Sequence, residues 1–261
     1  MKGSVSKMIG IYQEPIGDIP CLHVINQKFV EEERPVVVYF HGFTSAKEQN
    51  LPIAYMLADK GFRVLLPDAL HHGERSSGLS DNERQLAFFE IVLKNISELD
   101  IIRQYLLKNK LLKKNRLGVA GTSMGGITTS AALVKYSWVN AAAVMMGTPK
   151  LQEYAKQLLY YVEKNGQSPF TKEELDDLFK QLAEIDLSYH MESLHERPLM
   201  FWHGENDKVV PFEHSSSFYQ TVKPFYKKGD HLQFIGEKGR EHKVSIPAMH
   251  HATDWFERHL V

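Results

Sequence analysis

A serine between two glycines, in the run Gly121-Thr122-Ser123-Met124-Gly125, stands where the small and β-branched residues of 117–120 give way to a segment with helical spacing. A hydroxyl at such a strand-to-helix turn is exposed for attack on a carbonyl. The amides that open a helix have no partner within it, so the N–H of Met124 is free to stabilise an oxyanion formed by that attack. The glycines suit the turn, because side chains two residues before and after the serine would collide with neighbouring backbone.

A second donor is available where the apolar run 36–40 ends in His41-Gly42-Phe43, since the loop after that strand can aim the Phe43 N–H at the same oxygen. An uncharged serine hydroxyl is a poor nucleophile and needs a base, and the base needs an acid to fix its tautomer. Residues 197–207 read as a buried strand ending in a polar loop that offers two carboxylates, Glu205 and Asp207, the latter also placed to cap a helix before Pro211. The base must come later, and His231, His242, His250 and His251 qualify by order, with His259 near the end as a distant fifth. His231 precedes the strand 232–235 and so lies at its N-terminal end, whereas open parallel sheets bind ligands beyond their carboxyl ends. His250 and His251 fall inside the last helical segment. His242 follows the strand and the turn 236–241, which places it in a loop at the carboxyl end.

His-Gly-x at 41–43, Gly-x-Ser-x-Gly at 121–125 and His-Gly-x-x-Asp-x-x-Val-Pro at 203–211 together resemble the α/β-hydrolase superfamily. The resemblance spans 35–261 and is nearest to small bacterial esterases related to the dienelactone hydrolase and prolyl-oligopeptidase-like branches. It implies a catalytic order of Ser, acid, His, hence Ser123, Asp207 and His242, with Asp207 preferred to Glu205 because it holds the motif position. It gives Phe43 and Met124 the oxyanion role and His41 the shaping of its loop. It also implies that Asp68, His72, Gly73 and Ser76 hold the site loops. A metal at Asp68, His71 and His72 is disfavoured, because adjacent histidines rarely face one ion. The implied activity is a serine carboxylesterase acting on short- to medium-chain esters through an acyl-enzyme, with a small-molecule ester as substrate and no cofactor. A peptidase or thioesterase of the same fold, or a non-catalytic ligand-binding protein on the same scaffold, are the alternatives.

The rest of the chain must position these residues. Short apolar runs at 36–40, 63–67, 117–120, 141–146, 199–203 and 232–235 read as strands buried on both faces. Helical spacing appears at 51–60, 81–110, 125–136, 212–223 and 245–260, with a capping box at Ser80 and Glu83 and an Asn50 cap before Pro52. Strand alternating with helix implies an α/β fold with a mostly parallel central sheet flanked by helices. Residues 150–196 break the alternation with two helices, 151–164 and 173–185, the second opened by Thr171 and Glu174 at capping-box spacing. They are expected to form a short cap over the sheet, within a single domain 1–261. The cap would present Tyr154, Leu158 and Tyr161 to substrate, beside Phe170 and Phe179. The same aromatics also fit amphipathic helices that simply pack inward.

Composition narrows the partners. At 261 residues and 43% hydrophobic the chain can bury one large core. Lys and Arg total 31 against 32 for Asp and Glu with no block of like charge, so nucleic acid and anionic membranes are not expected partners. The lone Cys21 forms no internal disulfide, and no Cys or Cys/His pair has zinc-ligand spacing. The first 15 residues lack a leader pattern and no run has bilayer-spanning length, so a cytoplasmic location is expected. Oligomeric state has no signature in the sequence.

Overall fold

Alternation along β3 (Arg34–Phe40) divides the core in two. Val36, Val38 and Phe40 face one side, and Val37 and Tyr39 the other. The computed structural model describes residues 8–164, 166 and 169–261. In chain order the other strands are β1 (Ile9–Gln13), β2 (Cys21–Asn26), β4 (Arg63–Pro67), β5 (Leu112–Thr122), β6 (Ala141–Met145), β7 (Leu199–Gly204) and β8 (Leu232–Glu237). They form one sheet in the order β1-β2-β4-β3-β5-β6-β7-β8. The pairings from β4 through β3 to β8 are parallel. β2 runs antiparallel to both β1 and β4.

The helices are α1 (Leu51–Asp59), α2 (Asp81–Leu86), α3 (Phe88–Lys108), α4 (Met124–Lys135), α5 (Leu151–Lys164), α6 (Lys172–Ala183), α7 (Phe212–Val222) and α8 (Ile246–Leu260). α3, α4 and α7 cover one face through Leu99, Ile102, Leu133 and Phe218, and α1 and α8 cover the other through Leu57, Trp255 and Phe256. This is the layering that parallel strands require, because both faces of such a sheet are apolar. The expected mostly parallel sheet flanked by helices is therefore what forms. A third cluster joins the first half of α3 (Phe88, Ile91), the start of α4 (Met124, Ile127) and the inserted helices α5 and α6 (Leu151, Tyr154, Leu182). No described helix is long and apolar enough to cross a membrane.

Three local expectations need correction. The segment 81–110 is two helices: the Ser80–Glu83 capping box forms, but α2 ends at Leu86 and Ala87 turns the chain so that Phe88 and Phe89 enter the core. Asn50 occupies the cap position without capping; its Nδ2 instead donates to the Ala46 carbonyl at 3.2 Å. β5 starts at Leu112, earlier than its apolar run, because residues 112–116 continue the strand through an irregularity at Lys114 and Asn115, both at positive φ. The Thr171–Glu174 capping box of α6 forms as its spacing predicts.

Candidate active site

Ser123 caps α4 at the carboxyl end of β5 with φ 55° and ψ −113°, a conformation a non-glycine residue adopts only when its surroundings enforce it. The enforcement comes from both glycines. A Cβ on Gly121 would lie 2.3 Å from the Gly125 carbonyl carbon, and one on Gly125 would lie 2.1 Å from the Phe40 carbonyl oxygen. The Ser123 amide donates to Met145 on β6 at 2.9 Å, tying the turn to the neighbouring strand.

His242, in the loop between β8 and α8, has Nε2 2.8 Å from Ser123 Oγ and Nδ1 2.6 Å from Asp207 Oδ2. With Nδ1 facing a carboxylate, the imidazole proton belongs on that nitrogen, leaving Nε2 to accept from the serine hydroxyl. The other oxygen of Asp207, Oδ1, accepts the N–H groups of Val209 and Val210 at 2.8 and 3.0 Å. The alternative role of Asp207, as a helix cap before Pro211, is not what forms: its carboxylate closes the loop at Val209 and Val210, and α7 begins at Phe212 with Pro211 at the cap position and no side-chain cap. Burial alone would raise its pKa, but donors on His203, His242 and Val209 and the charge of His242 outweigh burial and hold it well below the usual carboxylate range.

The loop carrying Phe43 lies against Ser123: a Cβ on Gly42 would be 3.6 Å from Ser123 Cβ. Its shape is set from behind. His41 is buried, donates Nδ1–H to the Gly42 carbonyl at 2.7 Å and accepts the Ala69 N–H on Nε2 at 3.0 Å. Burial pushes its pKa down to about 4, so it is a neutral strut. His72 contacts the Phe43 carbonyl through Nε2 and the Leu70 carbonyl through Nδ1. Asp68 accepts the Lys47 and Glu74 amides, each at 3.0 Å, and pairs with the Lys47 ammonium at 2.6 Å, both side chains being buried. Gly73 passes so close to that carboxylate that a Cβ would fall 2.2 Å from Asp68 Oδ1, while Ser76 closes the turn onto the Gly73 carbonyl. Burial opposes the Lys47 charge, yet hydrogen bonds to Asp68, Glu74 and Glu48 more than offset it, and its pKa rises.

Ser123 and His242 open onto a cleft of about 470 Å³, with apolar walls from Phe43, Ile53, Met146, Val209 and Met249 and no carboxylate among its lining residues. The three residues expected to meet substrate are not in that lining. Tyr154 is 5% exposed and packs edge-on to Phe88 with ring centres 6.1 Å apart, behind the elbow with Met124 and Val210. Leu158 packs against the same cluster. Tyr161 is 61% exposed and lines a separate depression beside Gln85 and Leu86. The inserted helices thus spend their inward aromatics on packing, as amphipathic helices do.

The other candidates lie elsewhere. His231 Nδ1 contacts the Glu196 carbonyl, His250 and His251 are exposed on α8, and the His259 ring packs on Trp255. His71 faces Ser77 Oγ at 2.7 Å, and no group of three metal-ligating side chains occurs among the described residues. Two polar residues had no place in the sequence reading: Lys47, whose spacing looks like an ordinary surface lysine, and His203, read only as a motif letter.

This elbow at the carboxyl end of a mostly parallel sheet, with serine, histidine and carboxylate in hydrogen-bonded line, defines a serine hydrolase of the α/β-hydrolase fold. The family model of the prolyl oligopeptidase family matches residues 52–261, and the chain belongs to that family. It is 42% identical over 255 residues to the putative esterase YitV of Bacillus subtilis, covering 97% of this chain and 100% of the relative. It is 32% identical over 254 residues to the esterase YjfP of Escherichia coli, again covering 97% and 100%. Among solved structures it resembles TT1662 from Thermus thermophilus, with a TM-score of 0.76 at 18% identity over 97% and 98% of the two chains. An acylaminoacyl peptidase from Pyrococcus horikoshii aligns with a TM-score of 0.70 at 19% identity, over 97% of this chain and 42% of that one. At these identities the structural matches speak for the fold alone.

Proposed function

We propose that this protein is a carboxylesterase that hydrolyses short- to medium-chain esters of small molecules, with Ser123 as nucleophile, His242 as base and Asp207 as its orienting acid. The observation that carries this reading is the continuous line from Ser123 Oγ through His242 to Asp207 Oδ2, at 2.8 and 2.6 Å, opening on an apolar-walled cleft. Ser123 Oγ attacks the ester carbonyl as Nε2 of His242 takes its proton. The N–H groups of Phe43 and Met124 stabilise the oxyanion, and His242 returns the proton to the leaving alcohol. Water then repeats the sequence on the acyl-enzyme. Ester rather than amide cleavage is favoured by two relatives that each match 97% of this chain, one named as a putative esterase and the other as an esterase.

The test is hydrolysis of p-nitrophenyl acetate, butyrate and laurate by the wild type and Ser123→Ala, with fluorophosphonate labelling located by mass spectrometry. The wild type is expected to turn over the two short esters faster than the laurate and to carry the adduct on Ser123, and the variant to lose at least about 10³-fold in kcat. Activity that keeps rising toward laurate overturns the chain-length part. A wild type that neither turns over nor labels leaves ligand binding on a hydrolase scaffold as the better account.

A further inference from the structure

Asp207 has a second histidine against it. His203 lies at the end of β7, four residues before Asp207, and its side chain is completely buried. Its Nε2 is 3.0 Å from the Val210 carbonyl and 3.2 Å from Asp207 Oδ2, while its Nδ1 is buried without a partner. Both neighbours of Nε2 are acceptors and Nδ1 meets none, so the ring proton belongs on Nε2, shared between the two oxygens. The edge-to-face ring of Phe212, 5.8 Å away, fixes the imidazole plane that aims it there.

We infer that His203 is a positioning residue for the reaction: it donates Nε2–H to Asp207 Oδ2, the same oxygen that accepts from His242, and thereby sets both the plane and the basicity of the carboxylate. The inference rests on the triad reading above.

The geometry says why the contact matters. Oδ1 is anchored by two backbone amides, but the terminal torsion of an aspartate is broad and both oxygens turn together about Cβ–Cγ, so a donor on Oδ2 narrows the swing that the two amides still allow. With His203 in place, Oδ2 accepts two converging donors and points at His242. Each donor also draws charge from the carboxylate, which weakens its hold on the imidazolium formed during attack. Removing His203 therefore has two separable effects. The carboxylate loses its orientation, which lowers turnover, and it becomes more basic, which keeps His242 protonated to higher pH. The other titratable groups facing His203 are His214 on α7 and, through Asp207, His242; Tyr154 on α5 also feels the Asp207 charge. All of these remain in the variants below.

His203→Phe keeps the ring and loses the donor, whereas His203→Gln carries an amide N–H at the same distance along the side chain. Kinetics on p-nitrophenyl acetate, with pH profiles of kcat/KM, separate the readings. His203→Phe is expected to lose about tenfold or more in kcat with KM within about twofold of wild type, and its acid limb to move upward by about half a pH unit. His203→Gln is expected to recover most of both. If His203→Phe does not fold, the comparison is between His203→Gln and His203→Asn, whose shorter amide stops short of Oδ2 and is expected to show the same loss and shift. A donorless variant with wild-type kcat and acid limb overturns the inference, as do equal losses in donor and donorless variants with an unmoved limb. In either case a wild type that turns over and labels on Ser123 keeps the triad reading intact. A wild type that neither labels nor turns over removes both.

Discussion

A methyl group added to Gly125 would meet the Phe40 carbonyl oxygen at 2.1 Å and the His41 carbonyl oxygen at 2.9 Å, both backbone and neither able to rotate away. Either the elbow or the end of β3 must shift, and these are the two segments that bring Ser123 to Phe43. Gly125→Ala is therefore expected to lower the melting temperature by several degrees and kcat by about tenfold or more, since displacements near 1 Å at a reacting group cost on that order. Thermal unfolding and ester kinetics check it, and a variant with wild-type values in both would show that the elbow tolerates the extra carbon. The same residue shows what a sequence can reveal. Ser123 was legible because its two glycines have a steric reason and His242 because the topology puts its loop at the carboxyl end, whereas Asp207 was told from Glu205 only by the motif position that the resemblance supplies. Lys47 and His203 were not, because their meaning lies in burial against a carboxylate that no local spacing announces. Tyr161 failed the opposite way: it shares a helix with Tyr154 but is turned to solvent, and periodicity alone did not say which aromatic faces inward.

Between elements, the buried pair of Lys47 and Asp68 joins the segment after β3 to the loop after β4, and it holds in place the turn from which Phe43 projects. An ion pair at this depth is a poor source of net stability, but removing one partner strands the other. Lys47→Met leaves Asp68 with only the amides of Lys47's position and Glu74, and is expected to cost about 3 kcal/mol or more in urea unfolding. Adding Asp68→Asn is expected to return part of that loss, so that the double variant is more stable than the sum of the singles predicts. Strict additivity would mean that the two side chains do not depend on each other. Elements were read well where a signal repeats. The six parallel strands and both capping boxes came from apolar runs and Ser/Thr-x-x-Glu spacing, whereas β1 and β2 were missed. Ile9–Gln13 is a short edge strand with Ile11 and Tyr12 exposed, and Cys21–Asn26 contains His23 and Asn26, whose burial depends on partners outside the strand. The break at Ala87 carries no Pro or Gly, and it arises because tertiary packing pulls Phe88 and Phe89 inward.

For the whole molecule, the buried histidines set the acid side of the stability profile. Burial, the charge of Arg63 and a 2.6 Å contact from Arg63 Nη1 to His23 Nε2 hold that imidazole neutral, with its pKa lowered to about 4; His41 is lowered to about 4 chiefly by burial. In the unfolded chain both titrate near the ordinary histidine value of about 6.5, so between that pH and 4 the unfolded state binds more protons than the folded one. Stability must then fall as the pH drops through this window, by up to about 1.4 kcal/mol per pH unit for each histidine. Asp207 acts in the same direction at lower pH. Its depressed carboxyl stabilises the fold above the unfolded carboxylate value of about 3.9, and that contribution is lost as the pH falls toward its folded value. Lys47, raised by its carboxylate partners, contributes stability that is complete below about 10.5 and disappears only as the pH climbs beyond it. Urea unfolding at pH 7.5, 6.0, 5.0 and 4.5 is thus expected to show a plateau at the upper end and a steepening loss below pH 6. His41→Asn, which cannot take a proton, is expected to show a shallower slope across the same range whatever its stability at pH 7.5. A wild-type profile that stays flat down to pH 4.5 would mean that these two histidines are protonated at no cost in the folded protein, and that the rigid, neutral backing assigned to the Phe43 loop is wrong.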